Sequence, residues 1–77
     1  MENSKKIIGR IIKHQRLKCG LTLKELADKL EADRQYIWKL ENGKINMSLD
    51  YLDKVIEKLG NNPEGFFLQL NTSNTKN

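Results

Sequence analysis

The chain has 77 residues, with 14 Lys and Arg against 10 Asp and Glu and a net charge of +4. That length holds one small domain and excludes a catalytic domain built on a large α/β scaffold. One cysteine, Cys19, excludes an internal disulfide, and with His14 as the lone histidine there is no four-ligand zinc set.

Residues 5–19 read as a first helix, with Ile8, Ile11, Ile12, Gln15 and Cys19 on one face and Lys6, Arg10 and Lys13 opposite. Basicity concentrates here: residues 1–20 sum to +5, residues 21–45 balance, and residues 46–77 sum to −1. These cations are given no role, because a solvated helix face explains them as well as a phosphate contact does. Cys19 is expected to be a small core filler, His14 solvated, and Leu17 exposed opposite the apolar face. The apolar stretch Ile7–Ile12 is interrupted by Gly9 and Arg10 and is too short for a signal-peptide core or a spanning helix. A cytoplasmic protein without membrane, metal or cofactor is the expectation.

Gly20 marks the end of this helix, and Thr22-Leu23-Lys24-Glu25 fits a capping box that starts a second at 23–30, with Leu21 and Leu26 as its staple. The pattern repeats with Asp33 as cap between Ala32 and Ile37, starting a third helix at 34–41 that Gly43 ends. It repeats again with Ser48 between Met47 and Leu52. The fourth helix, 49–59, carries Leu49, Leu52, Val55, Ile56 and Leu59 as one stripe and ends at Gly60. Asn62-Pro63 starts a fifth at 63–69, since proline suits the first helical position. Residues 71–77 carry nothing to bury and are expected to be a disordered tail after a domain at 1–70. No segment reads as a strand, so the fold is all-α.

The second and third helices, about eight residues each and joined by Glu31-Ala32-Asp33, have the geometry of a helix-turn-helix, whose second helix can enter a DNA major groove. Leu26, Leu30, Ala32, Ile37 and Leu40 fill the positions two steeply crossing helices must bury, and Ala27 lets them approach. Here the sequence resembles the Cro/repressor-type, or XRE, helix-turn-helix family. The match runs from Ile8-Gly9 through Arg16, Gly20-Leu-Thr, Glu25-Leu-Ala, Asp33-Arg-Gln-Tyr-Ile37, Leu40-Glu-Asn-Gly43, Ser48-Leu and Leu59-Gly to Phe67. The resemblance implies a five-helix, lambda-repressor-like domain that binds double-stranded operator DNA as a homodimer and regulates transcription.

On that resemblance, Arg34, Gln35, Trp38 and Lys39 face outward from the third helix to meet base edges. Arginine and lysine pair with guanine, glutamine with adenine, and an aromatic ring contacts a thymine methyl. Tyr36, Asn42, Lys44 and Asn46 are the expected phosphate contacts, which position without reading sequence. The resemblance also implies an ion pair between Arg16 and Glu41 that ties the first helix to the end of the third. Two positions depart from the family pattern. Glu31 replaces the usual turn glycine and is expected at positive φ, at a cost of about 1 kcal/mol. Leu23 replaces a phosphate-clamping glutamine, leaving that task to backbone amides, and Asp33 adds negative charge near the DNA.

Phe66, Phe67 and Leu70 form a C-terminal apolar cluster. Phe67 is expected in the core, with Phe66 and Leu70 at the dimer interface. The leading function is a sequence-specific, dimeric transcriptional regulator of a roughly palindromic operator. Asp33-Arg34-Gln35-Tyr36-Ile37 and the chain's size are similar to the controller proteins of restriction-modification systems. The rival is a protein-interaction module on the same scaffold, an antitoxin or antirepressor-type partner using Trp38 and Tyr36, with Leu23 and Asp33 in its favour. An enzyme is not expected: the sequence has no paired-carboxylate motif, glycine-rich phosphate loop or activated nucleophile.

Overall fold

Five helices form where the capping signals fall: α1 (Ser4–Lys18), α2 (Leu23–Lys29), α3 (Arg34–Glu41), α4 (Leu49–Lys58) and α5 (Pro63–Asn74). The computed structural model describes residues 3–74, with side chains described for residues 3–68. Among the described residues there is no strand, as the periodicity requires.

The helix starts are made by side chains. Thr22 Oγ1 accepts from the Glu25 amide at 3.0 Å while Glu25 Oε1 accepts from the Thr22 amide at 2.8 Å, completing the capping box. Ser48 Oγ accepts from the Tyr51 amide at 3.0 Å and Asn62 Oδ1 from the Gly65 amide at 2.8 Å. Each such cap contributes about 1 kcal/mol. Asp33 departs from this pattern: it occupies the N-cap of α3, but its side chain makes no capping hydrogen bond.

Gly43 stands at φ 66°, and a Cβ there would lie 2.6 Å from Lys6 Cγ, so the turn needs glycine for conformation and for space alike. Glu31 takes the left-handed conformation at φ 55° that the turn between α2 and α3 demands.

The core gathers Ile12, Leu26, Ile37, Leu40, Val55, Ile56 and Phe66, all essentially without solvent exposure. α1 crosses α3 at Gly9, where a Cβ would sit 2.4 Å from the Leu40 carbonyl oxygen and 2.6 Å from that of Glu41. Only a residue without a side chain allows this backbone approach. Gln15 Oε1 accepts from Asn61 Nδ2 at 3.0 Å and fastens α1 to the segment leading into α5.

Several expectations are corrected. Phe66 is fully buried and Phe67 is exposed, the reverse of the assigned roles; the rings meet edge to face at 5.2 Å. Phe66 is therefore core and unavailable to a partner subunit. Leu70 lies outside the residues with described side chains. Cys19 is exposed at the C-cap of α1, its thiol donating to the Leu59 carbonyl at 3.5 Å, because the apolar face of that helix ends one turn earlier. Leu49, placed in the stripe of α4, is 75% exposed, since the first turn of that helix projects past the core. α5 continues to Asn74 instead of ending near residue 69, so helix covers part of the expected tail, and residues 75–77 lie outside the described ones.

Candidate nucleic-acid interface

α3 is short, and its eight residues divide sharply. Ile37 and Leu40 are buried against α2 and the core, and Glu41 is buried as the partner of Arg16. Arg34, Gln35, Trp38 and Lys39 are exposed on the other side, with Trp38 showing 47% of its surface. At 100° per residue, positions 34, 35, 38 and 39 fall within one continuous arc. The arc joins two long cations, an amide and an indole on one rod.

The rod is anchored from behind. Arg16 Nε donates to Glu41 Oε2 at 2.7 Å and Nη2 to Glu41 Oε1 at 3.2 Å, a two-pronged pair with side chains 7% and 2% exposed. Arg16 Nη1 also donates to the Leu21 carbonyl at 2.8 Å, so one guanidinium joins α1, the turn before α2 and the end of α3. Such a fork fixes direction as well as distance.

Asn42, Lys44 and Asn46 are exposed in the loop after α3. Asn42 Nδ2 donates to the Trp38 carbonyl at 2.8 Å, which closes the helix end and leaves its Oδ1 turned from that bond. Tyr36 is exposed as well, but its ring stands edge to face against Tyr51 of α4, with centroids 5.9 Å apart at 81°. Lys54 Nζ lies 5.9 Å from the Tyr51 ring. Burial, and secondarily the neighbouring Tyr36, pushes the Tyr51 phenol above its ordinary value. Tyr51 and Lys54 border the site and were not anticipated, because nothing local in α4 distinguishes an aromatic that supports another helix from one that supports its own.

At the other end of α3, Arg34 shares an open hollow of about 600 Å³ with Leu21, Leu23 and Lys24 at the start of α2. Leu23 packs partly against the core, which accounts for an apolar residue at that position. Lys24 pairs loosely with Asp28 at 3.5 Å, both well exposed, an interaction worth little in water. Among the described residues no group of His, Cys, Asp and Glu side chains could hold a metal ion, and no helix is long and apolar enough to cross a membrane.

The fold is shared with known proteins. Residues 12–66 match the helix-turn-helix family. The wild-type restriction-modification controller protein C.Esp1396I superposes with a TM-score of 0.86 at 28% identity, over 99% of this chain and 100% of that one. The same controller as a tetramer in complex with its natural 35-base-pair operator gives 0.83 at 29% identity, over 92% and 95% of the two chains. The clp gene regulator ClgR from C. glutamicum gives 0.83 at 25% identity, over 87% and 86%. None of the curated proteins matches the chain.

Proposed function

The chain belongs to the XRE-type helix-turn-helix family of DNA-binding transcriptional regulators, and we propose that it acts as a homodimer on a roughly palindromic operator that α3 reads in the major groove. The observation that carries this reading is the division of α3, with its apolar side pinned in the core and Arg34, Gln35, Trp38 and Lys39 exposed together. Arg34 and Gln35, in its first turn, are assigned the base edges, since recognition helices present their N-terminal residues there. Trp38 and Lys39 extend the contact along the helix. Tyr36, Asn42, Lys44 and Asn46 are assigned to phosphates.

Dimerisation is assigned to α5, where Phe67 and Leu68 are 37% and 57% exposed. Leu70 continues the same helix. Isolated apolar exposure is ordinary, but two adjacent large side chains on a terminal helix favour a partner subunit. A twofold dimer sets its recognition helices about 34 Å apart, one turn of the duplex. The tetramer that C.Esp1396I forms with its operator supports DNA binding by an oligomer. The protein-interaction alternative loses ground because the partial packing of Leu23 against the core accounts for that residue without a partner.

Fluorescence anisotropy on duplexes from the region upstream of the gene tests the reading. If a dimer neutralises about eight phosphates, log K should fall with a slope near −7 against log salt. Arg34→Ala or Gln35→Ala should cost about 1–3 kcal/mol and relax preference at one base pair, whereas Lys44→Ala should weaken all sequences alike. A salt-independent signal, or equal losses on every sequence for all three variants, would remove base reading from α3.

A further inference from the structure

Backbone contacts bring a stripe of cations on α1 against the loop that leaves α3. Gly9 packs on the Leu40 and Glu41 carbonyls and Gly43 packs on Lys6, so the two segments meet closely. Lys6, Arg10 and Lys13 recur at intervals of four and three and therefore share one helix face. Together with Glu41, Asn42 and Lys44 they line an open hollow of about 370 Å³. Its carboxylate, Glu41, is already bonded twice by Arg16, which leaves the lining positive.

Three lysines gathered round one hollow, Lys6, Lys13 and Lys44, repel one another, and a solvated helix face by itself gives no reason for them to converge on a loop. A row of phosphates does. Residues 6 to 13 span about 10 Å along the helix axis at 1.5 Å per residue, long enough for cations at its two ends to meet different phosphates of one strand.

We propose that this hollow holds backbone phosphates of the duplex that α3 reads, adjoining those met by Asn42 and Lys44, so that the contact continues along the basic face of α1 and lengthens each half-site. The proposal rests on the DNA-binding reading above. It gives a role to the cations that sequence reasoning left unassigned, and it predicts flanking base pairs that matter for affinity without being read.

The test compares Lys6→Gln/Lys13→Gln with Lys18→Gln/Lys58→Gln, which removes the same charge away from the hollow; thermal melts verify that both fold. Salt titrations are followed by anisotropy on an upstream duplex, full length and trimmed by three base pairs at each end. In the Lys6/Lys13 variant the slope of log K against log salt should become shallower by about 0.9 per lost contact, near 2 per protomer, with base preference unchanged. The control pair should keep the wild-type slope. Trimming should bring the wild type close to the Lys6/Lys13 variant and leave that variant almost unaffected. Equal slopes for the two double variants would overturn the proposal while leaving recognition by α3 intact. A wild type that binds no duplex would overturn both.

Discussion

Replacing Arg16 with alanine leaves the Glu41 carboxylate, 2% exposed, without either of its two guanidinium bonds, and leaves the Leu21 carbonyl without its donor. Breaking a buried pair from one side costs about 3–5 kcal/mol, because the remaining charge stays desolvated. At about 0.05–0.15 kcal/mol per residue, a domain of this size has roughly 4–12 kcal/mol of stability in all. Arg16→Ala should therefore lower the melting midpoint by about 12 °C or more, at about 4 °C or more per kcal/mol. The paired change Arg16→Met/Glu41→Leu removes both charges and keeps volume, and should lie within about 2 kcal/mol of the wild type. Thermal and urea unfolding followed by circular dichroism measure both. The reasoning is refuted if Arg16→Ala stays within about 1 kcal/mol of the wild type, or if the double variant is less stable than the single one.

Three further outcomes follow from the structure. Phe66→Ala should lose about 3–5 kcal/mol of stability, the usual cost of emptying a buried aromatic site; Phe67→Ala should lose far less but should weaken self-association in sedimentation velocity. Glu31→Gly should stabilise by about 1 kcal/mol by relieving the positive φ, read as a higher melting midpoint. Tyr51 holds its proton more tightly when folded than when unfolded, so stability is intact below pH 10 and falls as the pH rises through the raised folded value. Urea midpoints between pH 9 and 11 should fall less steeply in Tyr51→Phe than in the wild type.

Much of the fold was legible because its signals are local. The capping box at Thr22 and Glu25 and the stops at Gly20, Gly43 and Gly60 each lie within one turn, and the structure reproduces them. The split of α3 into buried Ile37 and Leu40 and exposed Arg34, Gln35, Trp38 and Lys39 was equally legible, because two crossing helices admit one apolar stripe. What failed was decided by neighbours distant in the chain. Phe66 and Phe67 are one residue and about 100° apart, and only the docking angle of α5 selects which ring turns inward. Cys19 and Leu49 continue their helices' apolar stripes beyond the edge of the core, where periodicity persists and burial stops. Tyr51 and the hollow beside Lys44 required knowing which helices touch.

The contact at Gly9 also bears on how such a domain can diversify. Because α1 grips the end of α3 through carbonyl oxygens, the tilt of α3 does not depend on what its outward residues are. Positions 34, 35, 38 and 39 can then be exchanged for others without retuning the frame that aims them, and a new target site need not wait for a new scaffold.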